Sequence, residues 1–175
     1  MNYAAIRNHD IANGEGVRTS LFVSGCTNHC PGCFNPEAQD FEYGKLFTSN
    51  TLFELSTMLK EPTVSGLSIL GGDPMCQNPH GIFYLNELCK ITKCMDKTVW
   101  LWTGFLWEDL FNNNHYSNIS IMKQELLMRC DVVIDGPFIE AQADRALNWR
   151  GSANQRVIDV QKTIKQGKII LYEKQ

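Results

Sequence analysis

Hydrophobic positions along the chain fall into two kinds of run. Four are short and nearly continuous: Ser20-Leu21-Phe22-Val23-Ser24, Gly66-Leu67-Ser68-Ile69-Leu70, Thr98-Val99-Trp100-Leu101-Trp102 and Asp131-Val132-Val133-Ile134. Branched and aromatic side chains with little polar alternation suit strands covered on both faces. Between these runs the spacing becomes helical. Leu52, Leu55, Met58 and Leu59 share a face, with Thr51 and Glu54 in capping-box spacing and Asn50 as the rival cap. Ile82, Leu85, Leu88 and Cys89 form a second stripe, and a third helix is expected from about Ile119 to Met128, anchored by Ile121, Leu126 and Leu127. Strands alternating with helices predict an α/β protein with a mostly parallel sheet.

Each apolar run ends in glycine with a small polar or ligating neighbour: Gly25-Cys26, Gly71-Gly72-Asp73-Pro74, Thr103-Gly104 and Asp135-Gly136-Pro137. In parallel sheets and βα-barrels, ligands sit at the carboxyl ends of strands, so the four ends are expected to address one site. Taken singly, such residues only punctuate loops. A closed barrel needs about 250 residues, so a barrel of 175 residues is an incomplete one. The tail from Arg156 to Glu173 offers a last strand, or a hairpin around Gln166-Gly167. No repeat and no Pro/Gly/Ser linker divides the chain, so residues 1–175 read as one domain.

Sixteen basic and nineteen acidic residues leave a net charge of −3, with no Lys/Arg block to follow a phosphate backbone, which argues against a nucleic-acid partner. The apolar runs are far shorter than the roughly 18 residues of a membrane span, and the polar start from Met1 to Arg18 lacks a signal-peptide core. A cytoplasmic protein without membrane contact is expected.

Seven cysteines, an odd number, argue against a disulfide framework. Cys26, Cys30 and Cys33 stand as Cys-x3-Cys-x2-Cys directly after a strand, in a loop containing Asn28, Pro31 and Gly32. Three thiolates on one short loop can wrap a soft metal centre. Zinc would take a fourth ligand such as His29 or Cys76. A four-thiolate electron-transfer cluster would need a fourth cysteine in a different spacing. Unligated packing is a further alternative. The remaining one is a four-iron, four-sulfur cluster on three thiolates, with one iron open to a small molecule, and an open position marks catalysis rather than structure.

The loop Cys26-Thr27-Asn28-His29-Cys30-Pro31-Gly32-Cys33-Phe34 resembles the signature of radical S-adenosylmethionine enzymes, and Gly71-Gly72-Asp73-Pro74 resembles their second motif. More narrowly, five further stretches resemble the family that activates anaerobic ribonucleoside-triphosphate reductase. They are Asn13-Gly14-Glu15-Gly16-Val17-Arg18, Phe22-Val23-Ser24-Gly25-Cys26, Trp102-Thr103-Gly104-Phe105, Val133-Ile134-Asp135-Gly136-Pro137-Phe138 and the run from Trp149 to Arg156. The broad superfamily commonly carries an aromatic residue just before the third cysteine, where Gly32 stands; the narrower family carries it just after, as Phe34.

The resemblance implies an incomplete βα-barrel of the radical S-adenosylmethionine type, a [4Fe-4S] cluster on Cys26, Cys30 and Cys33, and S-adenosyl-L-methionine at its open iron. It assigns Gly32, Cys33 and Phe34 to the adenosyl part and Gly71, Gly72 and Asp73 to the methionine amino end, with Thr103 and Asp135 as secondary polar contacts. An Asx turn ahead of Pro74 is the plainer reading of Asp73. The implied activity is reductive cleavage of the cofactor to methionine and a 5′-deoxyadenosyl radical, which makes a glycyl radical on the large reductase subunit, with a flavodoxin-type one-electron donor. A related enzyme acting on a small molecule and a zinc-binding interaction module are the competing functions. The Arg150–Arg156 segment is expected to shape the opening of the cleft, or else to be a plain surface loop. Trp100, Trp102, Phe105 and Trp107 read as packing, and so does Cys89.

Overall fold

The structure, a computed structural model, describes residues 1–112 and 117–173. Its frame is β1 (Asn2–Asp10), β2 (Arg18–Val23), β3 (Lys45–Leu46), α1 (Ser49–Leu59), β4 (Gly66–Gly71), α2 (Pro79–Lys93), β5 (Thr98–Trp102), α3 (Trp107–Asn112), α4 (Asn118–Arg129), β6 (Val132–Asp135), β7 (Arg156–Asp159) and α5 (Val160–Gln166). The strands form one seven-stranded sheet in the order β3-β1-β2-β4-β5-β6-β7. The centre, β2-β4-β5-β6, is parallel, while β1, β3 and β7 pair antiparallel at the two sides. The architecture is α/β with a mixed sheet around a parallel core.

Both faces of the central strands are occupied, by different things. Leu21 and Val23, Leu67 and Ile69, Val99 and Leu101, and Val133 join Leu55, Leu59, Ile82, Leu85, Leu88, Cys89, Leu126 and Leu127 in the main core, under α1, α2 and α4. The alternate positions look the other way: Trp100, Val132 and Ile134 pack with Trp102, Trp149, Val157 and Tyr172 in a second cluster. With side chains alternating at a period of two, an unbroken apolar run can serve a core and a second surface at once.

Several local expectations are corrected. The first helix is capped by Thr48, whose hydroxyl accepts the Thr51 N–H while the Thr51 hydroxyl takes the Thr48 N–H; Thr51 is therefore the third helical residue rather than the cap, and Asn50 lies inside the helix. Ile121 of α4 is 45% exposed; Leu126 and Leu127 are the buried anchors of that helix, with Met122 packed part-buried against the core. The tail is not a hairpin at Gln166-Gly167. Gly167, at φ 65°, ends α5 as a left-handed cap, and the chain returns so that Leu171 bridges Ile158. The N-terminal segment, read as a polar start, is the nine-residue strand β1, whose polar Arg7, Asn8 and His9 hide the strand pattern.

Candidate active site

The carboxyl ends of β2, β4, β5 and β6 run into a single cleft of about 780 Å³, lined among others by Cys26, Gly71, Gly72, Asp73, Thr103, Gly104 and Gly136. That volume suits a small-molecule site, which typically spans about 300–1,000 Å³. Cys30, Gly32, Cys33 and Phe34 continue the lining along the cysteine loop. The sheet supplies Phe22, Leu70 and Trp102 as floor, and the 136–155 crossing supplies Phe138, Trp149, Arg150 and Gln155 as the opposite wall. All the expected cofactor and metal residues therefore meet in one place.

Close backbone packing explains the glycines. Gly71 has φ 109°, and a Cβ there would come within 2.6 Å of the Val23 carbonyl oxygen. A Cβ on Gly72 would meet the carbonyl oxygens of Ala38 and Gly25 at 2.6 and 2.7 Å. The end of β4 thus lies directly against the start of the cysteine loop, with the Gly72 N–H bonded to Val23 O and the Asp73 N–H to Gly25 O.

Asp73 is the knot of this region. It is 1% exposed. Its Oδ1 accepts the Met75 N–H at 2.8 Å, the expected Asx turn; its Oδ2 accepts the Asn28 side-chain amide at 2.9 Å and the Gly104 N–H at 2.8 Å. The Thr103 hydroxyl stands 3.0 and 3.1 Å from the two oxygens. Burial, and after it the neighbouring Cys76, pushes Asp73 up to about 7 against the pull of those donors. Thr103 thereby acts inside this network. Asp135 does not line the cleft: it is buried, accepting the Trp107 N–H and the Arg156 guanidinium.

The three loop cysteines are half-buried. Their sulfurs do not all lie within 4.8 Å of one another, whereas Cys26, Asp73 and Cys76 do offer ligand atoms within that spacing. Ligands of one tetrahedral zinc, at Zn–S of about 2.3 Å, would sit roughly 3.8 Å apart. The loop as folded does not bring its three sulfurs to the spacing of a single ion. The Asp73 oxygens are already occupied by donors, so the tighter trio is no ready cation site. The neighbouring Cys76 and burial drive the Cys26 thiol up, while Cys26 and Thr27 draw Cys76 down against its burial. His29 is exposed and bonds Gln39 Oε1 at 3.1 Å rather than facing the cleft.

Sequence reading missed Arg7, Phe138, Glu140, Arg145 and Trp149 as lining residues. Arg7 lies opposite Ser20 in the β1–β2 register, its guanidinium 4.8 Å from the Phe22 ring centre, and recognising β1 as a strand would have exposed it. The others lie on a crossing without periodicity. Phe34, 70% exposed, packs on Phe138 with ring centres 5.1 Å apart.

A mixed α/β sheet with three cysteines at the rim of a strand-end cleft is the setting for a small bound group, and residues 12–158 match the family described as a 4Fe-4S single cluster domain. The chain belongs to that family. Within it, the chain is 40% identical over 158 residues to the anaerobic ribonucleoside-triphosphate reductase-activating protein of Vibrio cholerae, covering 89% of this chain and 96% of the relative. The protein of that name from Enterobacteria phage T4 is 39% identical over 158 residues, covering 90% and 93%. Its counterpart in Escherichia coli K12 is 34% identical over 160 residues, covering 90% and 97%. The chain is a member of this family of reductase-activating proteins.

Proposed function

We propose that residues 1–175 form a single radical S-adenosylmethionine domain, a partial βα-barrel, that activates anaerobic ribonucleoside-triphosphate reductase. Cys26, Cys30 and Cys33 would hold a [4Fe-4S] cluster, beside which the cleft would take S-adenosyl-L-methionine. The cluster would supply the one-electron reductive cleavage of that cofactor to methionine and a 5′-deoxyadenosyl radical, the chemistry that makes a glycyl radical on the reductase.

The chain's own residues do the holding and shielding. Gly71 and Gly72 bring polar backbone to the methionine end; Asp73 fixes that turn and reaches Asn28 in the loop. Gly32, Cys33 and Phe34 would border the adenosyl part, and Gly32 takes φ 70°, where a Cβ would press on the Glu140 side chain at 2.9 Å. Phe22, Leu70, Trp102 and Phe138 give the cleft an apolar stretch against which a reactive carbon centre would be shielded on one side. Arg150 is tied to Gln155 O at 2.8 Å, and the Gln155 side chain holds the Gly151 N–H and Gly136 O, so the segment forms a fixed rim against which the glycine-bearing strand can be positioned. A cytoplasmic location and a flavodoxin-type donor complete the reading; no helix among the described residues is long and apolar enough to cross a membrane.

The observation that carries this is the three-cysteine loop on the rim of a cleft reached by four strand ends, its sulfurs too widely spaced for one ion. Anaerobic reconstitution of the full chain should give about four irons per chain, and Cys26→Ala, Cys30→Ala and Cys33→Ala should each abolish cofactor cleavage. Cys94→Ala, at an exposed site, should keep both. Electron paramagnetic resonance after mixing with reductase, cofactor and reductant should show a glycyl radical. Retained cleavage in the Cys30 variant, or a protein that takes up zinc alone, overturns the reading.

A further inference from the structure

Cys76 belongs to none of the roles above, yet it stands beside Cys26. The two sulfurs and an Asp73 carboxylate oxygen lie within 4.8 Å of one another, and among the described residues no other trio of His, Cys, Asp or Glu meets that spacing. Backbone contacts hold the two segments together without help from a bound group: Asp73 N–H to Gly25 O at 2.9 Å and Cys76 N–H to Asp73 O at 3.0 Å. The buried Gln77 amide spans Ser24 O at 2.9 Å and Asp73 O at 3.1 Å. The Thr27 N–H and hydroxyl, 3.4 and 3.2 Å from Cys76 Sγ, keep that sulfur one residue from Cys26. Both cysteines are free and half-buried, so small solutes reach them.

We propose that Cys26 and Cys76 close a disulfide in the cluster-free protein, locking the loop against cluster assembly. The lock rests on the reading of Cys26 as a cluster ligand; the disulfide does not. The oxidant is a low-molecular-weight disulfide such as oxidised glutathione. The Cys76 thiolate attacks one of its sulfurs, forming a mixed disulfide and expelling one glutathione; Cys26 then attacks the Cys76 sulfur and expels the second. Two protein thiols lose two electrons, the glutathione disulfide gains them, and the two thiol protons leave on the two glutathiones. The product bond is about 2.05 Å long, and the two sulfurs already lie within 4.8 Å of one another on segments joined by backbone hydrogen bonds. It also shields both sulfurs from irreversible oxidation until a dithiol reopens it.

The test takes the full chain, strips iron with a chelator, treats it with oxidised glutathione and maps unreduced peptides by mass spectrometry. The expected result is a dominant Cys26–Cys76 linked pair two hydrogen masses lighter than its parts, with iron uptake down several-fold and restored by dithiothreitol. Cys76→Ser, with Cys76→Ala as a second variant and circular dichroism as the check of folding, should take up iron equally before and after oxidant. A dominant Cys26–Cys30 or Cys30–Cys33 link overturns the proposal, as does a Cys76 variant that oxidant still blocks. A Cys26–Cys76 link that leaves iron uptake unchanged would instead sink the ligand role of Cys26 and with it the lock.

Discussion

Arg18→Lys is expected to destabilise the protein without touching the site. Arg18 is 0% exposed. All its N–H groups are spent: Nε on Ser68 Oγ at 2.6 Å, Nη1 on Glu15 O at 3.1 Å and Thr98 Oγ1 at 3.0 Å, and Nη2 on Leu67 O at 2.6 Å and Thr98 O at 3.0 Å. The guanidinium also lies 5.4 Å from the Trp100 ring centre. Burial draws its pKa down to about 10, against the pull of Asp131 and others, so it stays charged at neutral pH. Lysine brings three donors from a single point where arginine brings five in a plane, so at least two acceptors lose their partner. An acceptor left unmade costs about 1–3 kcal/mol where it is buried, as at Leu67 and Ser68, and less at exposed Thr98, so the loss is about 2 kcal/mol. For a chain of this size that lowers the melting temperature by about 4 °C or more. Differential scanning calorimetry of the cluster-free protein measures it, beside iron content after reconstitution. Arg18 pairs with Asp10 and Gly66 at the amino ends of the parallel strands, away from the cysteines, so iron uptake should hold. A melting temperature within about 1 °C of the parent, or a loss of iron with no loss of stability, refutes the reasoning.

Arg156→Ala should cost about 3–5 kcal/mol, because it strands the fully buried Asp135 carboxylate. Glu108→Ala, which removes the exposed partner of the same guanidinium, should cost no more than about 1 kcal/mol; urea titration of both variants checks the contrast, and equal losses would refute it. At Asp10, burial opposes ionisation, yet hydrogen bonds from Asn13 and Ala12 outweigh it and hold the carboxyl below its ordinary 3.8. A depressed carboxylate adds stability above its unfolded value and loses it as pH falls through the folded one, so the deficit of Asp10→Asn should be largest near neutral pH and shrink below about pH 4. A deficit that is flat with pH in denaturant titrations contradicts this. Removing iron should leave the fold intact, since no residue from 26 to 36 belongs to the main core; a cooperative thermal transition and an unchanged far-ultraviolet spectrum are the expected readout, and collapse to coil the refuting one.

What the sequence made legible was what periodicity and spacing encode. The four central strands and the α2 stripe follow from runs that any buried parallel strand or amphipathic helix must carry, and Ile82, Leu85, Leu88 and Cys89 are all buried. The cysteine loop is legible because its ligands are local in sequence. β1 escaped because an antiparallel flank needs no continuous apolar run: Asn8 is spent on Glu61 and Thr19, and Arg7 leans on Phe22. The far wall escaped because its order comes from side-chain amides, such as Asn154 on Pro137 O and Gln155 on Gly136 O, which leave no periodic trace. Arg18, carried in one of the family-like stretches, proved a clamp for strand starts rather than a site residue.

The alternation of the sheet ties these parts to the chemistry. Because Leu21, Ile69 and Leu101 are committed to the helices, their neighbours Phe22, Leu70 and Trp102 must face the other side, and there the 136–155 crossing turns an open face into a cleft. The strand ends then project past the core and line the cleft. Left alone, a glycine-rich loop at such an edge would sample many shapes, at about 1–2 kcal/mol of entropy for each residue fixed. Asp73 removes that freedom from outside the loop, joining Asn28 between the first two cysteines to the Gly104 N–H beyond β5. The cysteine loop is thus tied at Asn28 to the ends of β4 and β5 by the chain itself.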